Sequence, residues 1–424
     1  MEAAPAVKRK RRAVRGPLLG DGRFRAFLAG MLSSGLAVQI QSVAVGWHVF
    51  SLRHRPLDLG LVGLVLFLPT FTLWVAAGVF VDRHDRRWIA ASGAFVEALC
   101  SLAFAALVLA HDRRLGFYLA VLLIVGVVRA FTSPAERALL PSLIEPQRYL
   151  KAQAAYSSLR ELAVIAGPAL GGLLIALSTA VAFAGSALLF AVGGVALALL
   201  RTRREVALAA ATVRRSLDGV RYILARPVIA GAISLDLFAV FFGGVTALLP
   251  IFADQILRAG PIGLGALRSA PALGAAAVAV LLAHHPPQRH IGRMLLLTVT
   301  GFGSATILFA LSRNIWLSLA LLFIVGGTDM VSVMIRNGLV QLGTPAQLRG
   351  RVNALENVFI GASNELGEFE SGTLAAFIGT VPSVFIGGVV TLIVVVLWSL
   401  LFPALRKADS IPLAECSSRS VHPE

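Results

Sequence analysis

Charge is what this sequence has least of. Of 424 residues only 14% are Asp, Glu, Lys or Arg, against 57% hydrophobic, and mean hydropathy is +0.81. Soluble domains carry roughly 25% charged residues, which leaves little room for a soluble globular protein. Cysteine is scarcer still. Cys100 sits in an apolar block and Cys416 near the end, too few for a disulfide framework or a metal cluster. Catalytic signatures are missing as well: no His-Glu-x-x-His, no Gly-x-Ser-x-Gly, no Gly-rich loop ending in Lys-Ser/Thr. An enzyme, an ATPase, a bound metal and a cofactor are therefore not expected. His54-x-x-x-Asp58 is a weak lone pairing, and His284, His285 and His290 flank Pro286-Pro287, which does not favour a metal site.

What is present is long apolar runs. A bilayer span needs about 20 apolar residues, and the runs are continuous, unlike the alternating segments of a barrel. Twelve segments can be drawn: 26–50, 58–81, 89–110, 116–138, 153–177, 180–200, 228–253, 262–283, 291–311, 315–339, 354–379 and 382–405. The splits at Ser178-Thr179 and Thr380 are short, and either could be one kinked helix. The fold class is thus all-α and membrane-embedded. A basic tail, 1–25, precedes a six-helix unit, 26–200. A linker, 201–227, leads to a second unit, 228–405, and a tail, 406–424. In the linker Val213, Leu217, Val220 and Leu224 recur at helical spacing, which fits an amphipathic helix on the membrane surface or a solvated connection.

The net charge of +16 is topological. With both termini inside, 28 Lys/Arg fall in inside segments. Seven, Arg268 among them, fall in outside loops, and Arg129, Arg160 and Arg336 fall within helices. That is the positive-inside bias, and it needs no nucleic acid. The two units look related. A shift of 200 residues superposes Ile124-Val125-Gly126 on Ile324-Val325-Gly326, Gly172 on Gly372, and Arg129 on Asp329. Parallel six-helix repeats are a transporter plan with the substrate between the halves.

Two local patterns carry a resemblance. Gly78-Val-Phe-Val-Asp82-Arg83-His-Asp-Arg86-Arg87 resembles motif A of the major facilitator superfamily, with Asp85 where that motif has Gly. Gly78 would let its helix approach a neighbour. Asp82 would accept hydrogen bonds from arginines or a helix N-terminus. Gly167-Pro168-Ala-Leu-Gly171-Gly172 resembles motif C of its exporters, where Pro bends the helix and glycines pack closely. A generic kinked helix is the alternative. Arg129 resembles the motif B arginine, although the following glycine is absent. With Arg23-Phe-Arg-Ala-Phe-Leu, Val38-Gln-Ile-Gln41 and Leu348-Arg-Gly-Arg-Val-Asn-Ala354, the chain is similar to the enterobactin-exporter-like and drug:proton antiporter branch of bacterial exporters.

The resemblance implies alternating access between two six-helix bundles and proton-driven export across the bacterial cytoplasmic membrane. Small molecules, protons and lipid would be the partners, and the chain a monomer. The cargo would be a drug-like compound or a secreted metabolite such as a siderophore. Uptake is the same-class alternative, and an enzyme or a channel the remote ones. Intramembrane ionisable groups are costly and mark function. The candidates for substrate or proton contact are Arg129, Asp236, Asp329, Arg336, Glu365 and Glu368. Glu365 and Glu368 are about 60° apart on a helical wheel, with Glu370 opposite. The pair would suit a proton carrier or interhelical hydrogen bonds. Gln39 and Gln41 are about 160° apart, so one faces the interior. Arg129 would point inward to a partner or snorkel outward.

Overall fold

The computed structural model describes residues 20–200, 221–285 and 289–409. Most of the expected amphipathic linker and both tails lie outside them. Among the described residues twelve long helices follow one another. They are α1 Gly22–Arg53, α2 Pro56–Arg83, α3 Arg86–Leu109, α4 Leu115–Leu143, α5 Tyr149–Leu177, α6 Thr179–Ala198, α7 Pro227–Gly243, α8 Gly260–His284, α9 Ile291–Leu311, α10 Ile315–Gly343, α11 Ala346–Ile378 and α12 Thr380–Leu401. Eleven spans are long and apolar enough to cross a membrane. The helix that falls short is α11, which carries Arg349, Arg351, Glu356, Glu365, Glu368 and Glu370.

Both short gaps are breaks. Ser178 is extended at φ −171°, ψ 143°, and its hydroxyl accepts the Ala180 N–H at 3.2 Å to cap α6. Gly379 sits at φ +93°, a conformation that favours glycine. The seventh span extends past its expected end. It breaks at Gly243-Gly244 and continues through short turns, the last a π-helical turn Phe252–Ile256.

The helices form two sets. α1 packs on α5 and α6, α3 on α4 and α6, and α2 on α4. In the second set α8 packs on α10, α9 on α10 and α12, and α7 on α11 and α12. The extensive contacts between sets are α2–α11 and α5–α8. The connections at 84–85, 144–148, 285–290 and 344–345 mark one end, called the basic end below. Those at 54–55, 110–114, 178, 257–259, 312–314 and 379 mark the opposite end.

The core is continuous at one end and split at the other. Near the opposite end one apolar cluster joins both sets through Phe50, Phe104, Phe183, Phe252 and Phe309. Near the basic end each set keeps its own, around Phe24, Phe27 and Leu139 in one and Leu295, Ile335 and Leu339 in the other. Two glycine crossings tighten the joined end. A Cβ on Gly172 would stand 2.6 Å from the Pro261 carbonyl and 3.0 Å from Gly265 Cα. A Cβ on Gly372 would stand 2.6 Å from Gly60 Cα.

Candidate functional site: a cavity between the two helix sets

Splitting the core at the basic end leaves a cavity of about 420 Å³ between α2, α4 and α11. Phe67, Phe71 and Trp74 give it an aromatic wall, and Arg129 and Glu365 lie at its deep end. Gly78, Arg137 and Gly361 line it nearer the basic end. Gly78 therefore does not seat a neighbouring helix: a Cβ there meets nothing within 4 Å, and the same holds for Gly361. Both glycines widen the cavity.

Arg129 also lines a smaller cavity of about 50 Å³ beyond it, with Gln41, Arg268 and Glu368. Its guanidinium faces the bundle interior. Nη2 donates to Gln41 Oε1 at 2.9 Å and stands 3.4 Å from Glu97 Oε2, while Gln41 Nε2 donates to Ser101 Oγ at 2.8 Å. Gln41 is the inward glutamine, and the side chain of Gln39 lies against Gly167. Glu365 and Glu368 both border Gly63 of α2. Glu370 lines a different crevice with Phe241 and Phe377, as the helical wheel requires. Glu365 Oε2 is buried and has no hydrogen-bond partner among the described residues.

The remaining candidates form a second cluster. Arg336 pairs with Asp236 of α7 and, at 3.0 Å, with Glu356 of α11. Its side chain is only 3% exposed, against 25% for Arg129. Asp329, two turns along α10, is close enough to interact electrostatically with both Arg336 and Asp236.

At the basic end Asp82 and Arg86 form a loose ion pair at 4.0 Å. The acid that caps a helix there is Asp85, whose Oδ1 accepts the Arg87 N–H at 3.0 Å at the start of α3. The residue that departs from motif A thus does the capping expected of Asp82. Arg86 and Arg87 reach carbonyls of Ala138 and Leu200, which ties α3 to α4 and α6, and Arg83 is exposed. In α5, Gly167 and Gly171 seat α1 and Gly172 seats α8. Pro168 is buried between them.

Sequence reasoning missed three residues. Arg268 is not in a loop but eight residues into α8, where Nη1 donates to Ser42 Oγ at 2.8 Å. The expected span 262–283 already encloses Arg268, with Pro261 at the first turn, and only the charge count places it in a loop. Only six outside arginines remain. Glu356 and Glu136 lie near segment ends, where a single sequence does not distinguish buried from solvated acids.

Comparison with known proteins fixes the family. The pattern of the transmembrane secretion effector family matches residues 16–423. The chain belongs to this family of major facilitator transporters. Curated relatives include the enterobactin exporter EntS of Escherichia coli O1:K1 / APEC and that of Shigella boydii serotype 18. Each is 26% identical over 398 residues, covering 92% of this chain and 94% of the relative. The fold is shared with a bacterial homologue of the iron transporter ferroportin in an inward-facing state. That match has TM-score 0.70 and 17% identity over 93% of this chain and all of that one. It is also shared with a bacterial homologue of the lysosomal transporter Spinster, at TM-score 0.72 and 11% identity over 90% of this chain and 96% of that one. The family members are transporters, not enzymes, and this one is a multi-pass membrane transporter homologous to a siderophore exporter.

Proposed function

We propose that this transporter exports a small amphipathic molecule, drug-like or a secreted metabolite such as a siderophore, across the bacterial cytoplasmic membrane in exchange for protons. The observation that carries the reading is the cavity. It is aromatic along one wall, charged at its deep end, open toward the basic end and separated from the opposite end by two glycine crossings. With the basic end and both termini cytoplasmic, cargo would enter from the cytoplasm or inner leaflet. Rocking of the two sets about the site would deliver it outside.

Arg129, Glu365 and Glu368 are the groups proposed to meet cargo or protons. Asp236, Asp329 and Arg336 act from the second cluster, through the packing of α7, α10 and α11. The Gly78–Arg87 segment governs closure of the cytoplasmic side, and Gly167, Pro168, Gly171 and Gly172 closure of the outer side. The transporter works as a monomer embedded in lipid, and no polyanion is involved.

Spent medium from cells with and without the gene, grown iron-poor and iron-rich, tests the cargo. A siderophore missing only from the deletion culture supports export, and identical media refute it. The purified transporter in proteoliposomes tests coupling. Accumulation of that compound should stop when the pH gradient is collapsed, and undiminished accumulation defeats proton exchange.

A further inference from the structure

Inside the first helix set lies a cavity that the cargo pathway does not use. It measures about 130 Å³ and is lined by Ser34, Glu97, Thr132, Glu136, Tyr156 and Arg160. α4 divides it from the cargo cavity. Arg129, Ala130, Ser133 and Arg137 line one side of that helix, and Thr132 and Glu136 the other. The two spaces meet at one place, the Glu97–Arg129 ion pair, because Glu97 lines the inner cavity and Arg129 the cargo cavity. Ser34 Oγ is buried and has no hydrogen-bond partner among the described residues. A space this large holds roughly four waters at liquid volume. Met31, Val38 and Phe190 make part of its wall apolar, and Ser34 and the other polar lining residues would be the waters' partners. The lining residues stand 7–11 positions from the basic-end termini of α4 and α5, about 10–16 Å along each helix. Arg160 is exposed on α5, so the cavity wall reaches the surface of the first helix set there, away from the α2–α4–α11 cavity.

We propose that this cavity is a dedicated proton outlet, with Glu136 the relay between Glu97 and the basic-end solvent. The inference rests on the proton exchange proposed above. Glu97, loaded from the opposite side earlier in the cycle, gives its proton to a cavity water. That water passes a proton to Glu136, which releases it to solvent. Glu97 is left as the carboxylate that pairs with Arg129, the arrangement observed. Cargo and protons thus move through separate spaces and communicate through one ion pair. The charged and titratable groups around Glu136 are Glu97 on α3, Arg129 and Arg137 on α4, and Tyr156 and Arg160 on α5. Among the described residues, Glu97 and Glu136 are the acids that line this cavity.

Infrared difference spectroscopy of the transporter in lipid nanodiscs tests this without any cargo. The measurement is made in buffer acidic enough to protonate Glu97, whose carboxyl band is assigned by its loss in Glu97→Gln. On transfer to heavy water, Glu136→Gln should slow deuterium exchange at Glu97 at least tenfold, and Glu136→Asp should restore it. Unchanged exchange in Glu136→Gln overturns the outlet. So does slow exchange in Glu136→Asp when that variant unfolds at the wild-type temperature, because Glu136 would then have a packing role only. If Glu136→Gln does not fold, Glu136→Leu carries the same test, and a wild-type exchange rate in that variant refutes the outlet. A transporter with Glu136-dependent exchange but no response to a pH gradient would sink the proposed exchange and leave the cavity as a water-filled relay. A gradient-driven transporter with Glu136-independent exchange would do the reverse.

Discussion

In each helix set the fourth helix carries an ion-paired arginine, and the two are used differently. Arg129 of α4 is a quarter exposed, borders two cavities, and shares its guanidinium between Gln41 and Glu97 at 2.9 and 3.4 Å. Arg336 of α10 is sealed and held by Asp236 and Glu356, which tie α7 and α11 to α10. An ion pair beside a cavity can exchange its partner for water or cargo. A sealed pair between three helices has no such exchange available, and its loss strands charges in low dielectric. The difference separates a group suited to switching from one suited to stapling, although both look alike in sequence.

The largest effect is expected where that contrast is broken outright. Arg336→Ala leaves Asp236 and Glu356 buried without their cation and should destabilise the protein by about 3–5 kcal/mol, read as a lowered unfolding temperature in detergent. The triple replacement Asp236→Leu, Arg336→Met, Glu356→Leu sharpens the test. Removing all three charges should be close to neutral in stability. If the cluster is a staple, transport survives, whereas abolished transport in this folded triple variant assigns the cluster to proton movement.

Next comes Gly372→Val, which forces side-chain atoms into the Gly60 backbone. Overpacking of this kind costs about 1–3 kcal/mol, and transport should fall below detection if the joined end has to close. Arg129→Ala should be milder for stability, about 1–2 kcal/mol from the polar atoms of Gln41 and Glu97 left unpaired, yet abolish transport. Wild-type transport in Arg129→Ala would erase the distinction between the two arginines. The smallest change in stability is expected for Asp82→Asn. Its half-exposed pair contributes under about 1 kcal/mol, while the transport rate should drop sharply with the protein still in the membrane. Full activity would remove the closure role.

Most of the fold was legible because membrane spans are written as long apolar runs. All twelve segments appear as helices within a few residues of the expected limits, except where α11 extends back to Ala346 and the seventh span breaks at Gly243-Gly244. Charge at segment ends was less legible. Arg268 falls inside the expected span 262–283 yet the charge count puts it in an outside loop, and Glu356 and Glu136 read as solvated ends. Gly78 shows the limit of spacing arguments. The motif marks a glycine, but only packing tells whether a helix or a cavity occupies the space beside it. Ion pairing across helices, such as Glu97 with Arg129, depends on which faces meet, and periodicity within one helix does not encode that.

The crossings of Gly172 with Gly265 and of Gly60 with Gly372 have a kinetic corollary. Leucine knobs seated in holes must change rotamer before two helices can part. Bare backbones have no rotamers to change. They separate by breaking dispersion contacts and the weak Cα–H···O bonds that such close approach permits. The joined end therefore behaves as a low-friction bearing. Any side chain added there acts as grit, slowing turnover through the barrier to reopening even where the closed form still assembles.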